Sequence, residues 1–246
     1  MIAIILAAGS GRRLKTNKPK GMLNIGNKPL IDYSISSLKR VGVQEIIIAT
    51  GYGLNYYERY FSMSGLKTEL TFCHNPEFEN SGSLYTLYLV LQSLKKYQDL
   101  VILDSDILYN VDEFSEFMQS PFKDAVFATN VPKERYDACY IESDISDHLV
   151  KITKNINYIT PNSLNEYWEH IGIIKTSAES IKDIIGYAEK KIAFGGSLDH
   201  EYDYAFESIN RPYKVIKFKD YVWSEADDDT QLNHMLNNVY PKLNLY

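Results

Sequence analysis

Three clusters of residues in this chain have types and spacings that can do chemistry. The first is Gly9-Ser10-Gly11-Arg12-Arg13, with Lys20 close behind in Pro19-Lys20-Gly21. Glycines let a backbone approach a phosphate closely and turn its N–H groups toward the oxygens. Arg13 offers a bidentate fork and Lys20 a point charge for the same anion. An ordinary strand-to-helix turn with surface cations is the competing reading, and the Arg-Leu and Pro-Lys-Gly that follow weigh against it. A GxxxxGK[ST] loop is absent, and Leu14 stands where a GxGxxG dinucleotide loop needs its third glycine. The second cluster, Asp104-Ser105-Asp106, ends an apolar run. Two carboxylates at i and i+2 there can hold Mg²⁺ with substrate phosphates, or simply cap the next turn. The third is Trp223-Ser224-Glu225-Ala226-Asp227-Asp228-Asp229. Asp228 and Asp229 suit the cap and acidic first turn of a helix, whereas Glu225 and Asp227 share one face of an extended segment.

These residues need a scaffold, and the apolar pattern supplies one. Continuous apolar runs at 2–7, 45–50, 100–103 and 125–129 predict strands buried on both faces. Between them Leu30, Ile31, Ser34, Ile35, Leu38 and Val41 recur at helical spacing, as do Leu84, Leu87, Tyr88, Leu91 and Leu94. The alternation predicts an α/β fold with an open, mixed, mostly parallel sheet flanked by helices on both faces. In such sheets ligands bind beyond the carboxyl ends of the strands, where the first two clusters fall. The second half is more irregular. A β-ribbon insertion is expected from 140–142 and 149–152, a strand at 173–174, a helix over 178–191, a strand at 215–218 and a terminal helix over 231–239. One domain over 1–246 is expected, with Gly195-Gly196-Ser197 as its most flexible point.

Composition narrows the function further. Lys and Arg total 26 and Asp and Glu 32, a net charge of −6, which leaves no broad basic surface for nucleic acid. No apolar run approaches a membrane span, and the apolar start lacks a basic leader, so a cytoplasmic protein is expected. Cys73 and Cys139 read as buried thiols. His74, His148, His170, His200 and His234 show no paired metal spacing and receive no catalytic role. The 20 Tyr, 10 Phe and 2 Trp either fill the core or line a pocket for a cation.

The run Leu6-Ala7-Ala8-Gly9-Ser10-Gly11-Arg12-Arg13-Leu14, followed by Lys18-Pro19-Lys20-Gly21-Met22-Leu23 and Lys28-Pro29-Leu30-Ile31, resembles the LAAGxGxRL…PK signature of the sugar nucleotidyltransferase superfamily. The stretch between Leu14 and Pro19 is shorter than usual for that signature, so its path around a triphosphate departs from the family's. The resemblance implies a Rossmann-like nucleotidyltransferase fold, with a nucleotide-binding half over 1–130 and an acceptor-binding half over 131–246. It implies nucleotide binding by Leu6, Ala7, Ala8, Gly9, Ser10, Gly11, Arg12, Arg13, Lys20, Gly51, Ser81, Gly82 and Ser83, with Arg13 and Lys20 catalytic. It also implies Mg²⁺ as cofactor, held by Asp106 and Asp227 with Glu225 as accessory.

The segment Tyr140-Ile141-Glu142 with Ile152-Thr153-Lys154-Asn155 and three further segments are similar to the 2-aminoethylphosphonate cytidylyltransferases, with kinship to phosphocholine cytidylyltransferases. The three are His74 to Leu87, Ser105-Asp106-Ile107-Leu108-Tyr109, and Tyr221 to Asp227 with Asn238-Val239-Tyr240-Pro241. The resemblance thus covers nearly the whole chain. It implies that CTP and a small phosphonate or phosphate are the partners, with CMP-aminoethylphosphonate and pyrophosphate as products. Ser81-Gly82-Ser83 opens a helix and either binds the nucleotide or caps that helix through Ser81. For the acceptor, Lys133 and Lys154 are candidates for the phosphonate, and each is equally a solvated surface lysine. Tyr140, Glu142, Trp168 and Asp203 are candidates for an ammonium. An aromatic cage would mark a trimethylammonium; carboxylates with few aromatic faces would mark a primary amine. A sugar 1-phosphate acceptor, a glycosyltransferase reading Asp104-Ser105-Asp106 as DxD, a nucleotide-binding regulator, and a homodimer all stay open.

Overall fold

Strand β1 (Ile2–Ala7) is apolar and buried at every position, as a strand covered on both faces must be. The computed structural model describes residues 1–64, 70–131, 137–160, 166–195 and 197–243. After β1 a glycine loop leads to a short ribbon of β2 (Asn24–Ile25) and β3 (Lys28–Pro29), then to α1 (Leu30–Arg40). The first half continues with β4 (Glu45–Thr50), α2 (Leu54–Ser64), β5 (Leu70–His74), α3 (Ser83–Ser93) and β6 (Leu100–Asp104). Next come β7 (Ile107–Tyr109), α4 (Val111–Gln119), β8 (Ala125–Val131), β9 (Cys139–Ser143) and β10 (Leu149–Thr153). The chain then runs through β11 (Tyr167–Thr176), α5 (Ile181–Gly195), α6 (Asp203–Ser208), β12 (Lys214–Phe218), β13 (Trp223–Glu225) and α7 (Asp229–His234).

The main sheet has the order β10-β9-β11-β6-β1-β4-β5, with β8 on β11 and β12 on β8. β6, β1, β4 and β5 are mutually parallel and β12 is parallel to β8; β11 runs antiparallel to its neighbours. The mixed, mostly parallel α/β sheet expected from the sequence is therefore present. So is the β-ribbon, as antiparallel β9 and β10.

Alternation along β1 assigns the layers. Ile2, Ile4 and Leu6 pack with Leu87 and Val90 of α3, Ile184 of α5 and Phe206 of α6. Ala3, Ile5 and Ala7 pack with Ile35 of α1, Phe61 of α2 and Phe114 of α4 on the other face. A third apolar cluster joins Leu14 and Ile25 to Met235 and Val239, so the C-terminal segment is fastened beside the glycine loop.

Two expectations are corrected. The strand at 173–174 extends over Tyr167–Thr176, because β11 is clasped between β8 and, in turn, β9 and β6. The terminal helix over 231–239 is not one α-helix: α7 passes into a π-turn at Met235–Val239, where Met235 N–H donates to both Gln231 and Leu232 carbonyls. Cys73 and Cys139 are free and partly buried. Among the described residues no helix is long and apolar enough to cross a membrane.

Candidate active site

The glycine loop leaves the carboxyl end of β1 and tightens where Leu14 N–H donates to the Gly11 carbonyl (2.9 Å). Lys20 opens a single 3₁₀ turn after Pro19. That turn packs hard against the β6–β7 connection: a Cβ on Gly21 would stand 2.9 Å from Tyr57 Oη and 3.3 Å from the Ser105 carbonyl. Only glycine admits this approach, and it sets Lys20 beside Asp106. The second carboxylate arrives through β13, which pairs with β7, and the Ala226 N–H donates to the Asp106 carbonyl (2.9 Å). Asp106 and Asp227, remote in sequence, thereby meet on one amine. Lys20 Nζ is 2.7 Å from Asp106 Oδ2 and is also bonded to Asp227, while Arg13 reaches Asp227 Oδ2 at 2.6 Å. Burial disfavours the Lys20 ammonium, but Asp106 and Asp227 outweigh it and raise its pKa. Burial likewise opposes the Asp227 carboxylate, and Lys20 and Arg13 outweigh that, lowering its pKa.

These groups line one end of a cleft of about 380 Å³ whose floor and far wall are acidic. Asp104 ends β6, and burial, then Asp106, Asp203, Glu201 and Glu225, push its carboxyl well above the usual range. Its Oδ2 lies against Gly172, which has φ +79 at the irregular step of β11, and a Cβ there would stand 2.4 Å away. That step brings Glu169 and His170 into the same wall. His170 Nε2 is 3.4 Å from Asp203 Oδ1, a buried oxygen without a hydrogen-bond partner among the described residues. Among the described residues Lys154 is the cation of this end, 3.9 Å from Glu201. Among the described residues, Phe78 and Tyr202 are the Phe, Tyr or Trp rings in the cleft wall.

Most of the residues singled out in the sequence converge. Leu6, Ala8, Gly9, Arg13, Lys20, Ser81, Gly82, Ser83, Asp106, Lys154, Glu225 and Asp227 line the cleft, and Ser10, Gly11 and Arg12 line its mouth. Ala7 points instead into the core on the opposite face of β1. Gly51 is a packing position, since a Cβ there would meet Phe78 and the Ala8 carbonyl. Tyr140 is buried with Ala138 and Ile159, away from the cleft, and Glu142 accepts from Thr160 N–H (3.3 Å). Trp168 is buried in the core. Lys133 lies outside the described residues.

The start of α3 differs from the capping reading of it. Gly82, not Ser81, is the cap residue, without a side-chain cap bond. Ser81 Oγ accepts from Asn75 Nδ2 (2.9 Å). Gly82 and Leu84 N–H groups already donate to the Leu198 and His200 carbonyls, and Ser83 Oγ holds Glu201 and Tyr202 N–H. The 198–202 segment thus covers this helix end. Asp137, Glu169, His170, Asp199 and Glu201 also line the cleft and carry no sequence signal of their own; pairing of β11 beside β6 and β9 gathers them.

Among the described residues no group of three or more His, Cys, Asp and Glu side chains is arranged to hold a metal. Asp106 and Asp227 nevertheless share one cation, the Lys20 ammonium, and their hard oxygen donors suit Mg²⁺ completed by phosphates and water. The donor set fits the ion.

A glycine loop and paired cations at the carboxyl end of a parallel sheet make a site for the phosphates of a nucleotide. The comparison with known families agrees. Residues 3–159 match the MobA-like NTP transferase domain, and the chain belongs to that family of nucleotidyltransferases. It is 26% identical over 200 residues, 77% of this chain and 78% of the relative, to a CTP:phosphoglutamine cytidylyltransferase of Campylobacter jejuni. It is 20% identical over 239 residues to a CMP-5'-(3-aminopropyl)phosphonate synthase of Streptomyces rubellomurinus, covering 92% of this chain and 37% of that protein. It is 39% identical over 97 residues to a choline-phosphate cytidylyltransferase of Streptococcus pneumoniae, covering 38% of this chain and 41% of that protein. Among solved structures, the inositol-1-phosphate CTP transferase of T. maritima superposes with a TM-score of 0.77 at 19% identity, covering 98% and 95% of the two chains. The CTP:phosphocholine cytidylyltransferase of Streptococcus pneumoniae gives 0.75 at 21%, covering 96% and 97%. At such identity these structures establish the fold.

Proposed function

We propose that this chain transfers the CMP group of CTP to a small phosphonate or phosphate that carries a primary ammonium, with 2-aminoethylphosphonate as the favoured acceptor. The observation that carries the reading is the polarity of one cleft. Arg13 and Lys20 stand at its glycine-loop end, while Asp104, Glu169, Glu201 and Asp203 form the other, with Phe78 and Tyr202 as the Phe, Tyr or Trp rings among the described residues. A triphosphate matches the first end. A short ammonium-bearing anion matches the second, with Lys154 beside the acids for its phosphonate. A trimethylammonium prefers several aromatic faces, whereas a primary ammonium donates hydrogen bonds that carboxylates accept. The three relatives, two named as cytidylyltransferases for phosphoglutamine and choline phosphate and one as a CMP-5'-(3-aminopropyl)phosphonate synthase, support CTP as the nucleotide.

The chemistry asks little of a base. The acceptor oxygen is ionised at neutral pH and attacks the α-phosphorus in line, while pyrophosphate leaves toward Arg13 and Lys20. Positioning and charge neutralisation therefore supply the rate. In the free protein Arg13 and Lys20 are paired with Asp227 and Asp106. A triphosphate offers these cations new partners and releases the two carboxylates. Asp106 and Asp227, with Glu225 beside them, would hold Mg²⁺, which supplies neutralisation of phosphate charge.

Pyrophosphate release tests the reading, with Mg²⁺, each of the four ribonucleoside triphosphates, and a set of acceptors. The set holds 2-aminoethylphosphonate, 2-hydroxyethylphosphonate, phosphoethanolamine, phosphocholine and glucose 1-phosphate. Release from CTP with the amine-bearing acceptors is expected. Release confined to phosphocholine or glucose 1-phosphate contradicts the acceptor class.

A further inference from the structure

Gln231, in the first turn of α7, is bonded on three sides. Its Oε1 accepts from the Asp227 N–H (2.8 Å), and its Nε2 donates to Glu225 Oε1 (3.2 Å) and to the Asp137 carboxylate. An amide has one acceptor and two donors, and here each meets its complement. One side chain thus holds the backbone of Asp227 and the carboxylate of Glu225 together. Its own backbone is fixed as well, because Asp228 caps α7 by accepting from Thr230 N–H (2.8 Å) and Gln231 N–H (2.9 Å). Buried Met235, one turn further on, anchors the segment in the cluster behind the glycine loop.

A glutamine at the third helical position commonly reaches back to the cap residue's N–H and stabilises the helix start. Gln231 reaches one residue beyond the cap, to Asp227, and spends both donors on carboxylates of the cleft wall. A helix cap has no use for Glu225 or Asp137.

We propose that Gln231 is a positioning residue of the transfer site. It fixes the direction in which Glu225 and Asp227 present their oxygens, and through Asp137 it ties that pair to the acceptor wall. The inference rests on the proposed transfer reaction, in which these carboxylates hold the divalent ion. Outer partners that orient ligand carboxylates change metal affinity roughly tenfold to a hundredfold when removed.

The test is Mn²⁺ binding followed by electron paramagnetic resonance, with CTP present and acceptor withheld, alongside steady-state kinetics over a range of Mg²⁺. Wild type, Gln231→Met and Asp227→Asn are compared. Methionine keeps the length and fill of the side chain and removes all three hydrogen bonds. Gln231→Met is expected to weaken Mn²⁺ binding at least tenfold and to raise the KM for Mg²⁺, while kcat at saturating Mg²⁺ stays within a few-fold. A purely structural glutamine would lower the melting temperature and leave the metal affinity unmoved. Wild-type Mn²⁺ affinity in Gln231→Met, with loss of binding in Asp227→Asn, overturns the positioning role and leaves the transfer reading standing. Wild-type affinity in Asp227→Asn overturns that reading and this inference with it. Should Gln231→Met not fold, Gln231→Asn serves, since it withdraws the amide by one methylene while keeping its polarity. A tenfold weaker Mn²⁺ site is again expected, and an unchanged one again contradicts the role.

Discussion

Lys20 is the residue on which most of the site's charge converges. It is largely buried, and it is held by two carboxylates, one from the middle of the chain and one from its last segment. Its importance was legible from Pro19-Lys20-Gly21 because the feature is local: a cation next to a glycine that allows close packing. Asp106 stood out at a strand end and Asp227 in an alternating acidic segment, but their pairing was implied only by the resemblance to the nucleotidyltransferases. Of the acceptor wall only Lys154 and Asp203 were singled out in the sequence. Glu169, His170 and Glu201 are single polar residues with no spacing that marks them, and only the tertiary approach of β11 and the 198–202 segment gives them a common purpose. Tyr140 packs with Ala138 and Ile159, and Glu142 accepts from the Thr160 N–H. Replacing Lys20 by Ala removes a preorganised cation from the triphosphate end. The kcat/KM for CTP should then fall by roughly a hundredfold or more, with little change in the acceptor's KM. Initial-rate kinetics at varied CTP would measure this, and an unchanged CTP dependence contradicts the role.

At the scale of the element, the site depends on β11 more than its sequence announces. Only 173–174 stood out as strand-like, because the polar pair Glu169-His170 and Gly172 break the apolar run. Those same residues make the irregular step that brings the wall against Asp104. Gly172→Ala should therefore do two things. It forces a side chain into φ +79 and onto Asp104 Oδ2. A stability loss of about 1–3 kcal/mol in urea unfolding is expected, together with reduced turnover. Full wild-type stability and activity would contradict the packing described.

The far end of β11 carries a second device. Lys175 is buried, and its Nζ donates to the Phe117 carbonyl (2.9 Å), the Ser120 carbonyl (3.1 Å) and Ser120 Oγ (2.7 Å), closing the end of α4. Lys175→Met removes the ammonium from these oxygens, leaving the Phe117 carbonyl with only the Ser120 N–H, and should cost about 1–3 kcal/mol. Burial lowers the Lys175 pKa from 10.5 to about 8. The penalty for holding the charged form is complete below pH 8 and is relieved as pH rises from 8 toward 10.5, where the unfolded chain still binds the proton. Wild type should gain stability over Lys175→Met across that window, read as a widening gap in melting temperature. A gap that narrows contradicts the assignment. Helices α2 and α4 escaped the sequence reading because their buried faces are narrow: Tyr57 and Phe61 in one, Val111, Phe114 and Phe117 in the other.

Over the whole molecule, the parallel core of the sheet was legible because strands buried on both faces are written as unbroken apolar runs. Its carboxyl edge becomes the cleft, as open α/β sheets dictate. The chain's net charge of −6 is consistent with an acidic acceptor wall, and field effects of this kind are screened by salt. The KM for an ammonium-bearing acceptor should rise with ionic strength more steeply than that for 2-hydroxyethylphosphonate. Equal slopes would remove the electrostatic argument for an amine. The most direct test of the account is the identity of the product, followed by ³¹P NMR with protein, CTP, Mg²⁺ and 2-aminoethylphosphonate. The account predicts a coupled pair of phosphonate and phosphate resonances from the new anhydride, growing with pyrophosphate and absent with Asp106→Ala. CTP and 2-aminoethylphosphonate that remain unchanged beside active-site-intact, folded protein would contradict it.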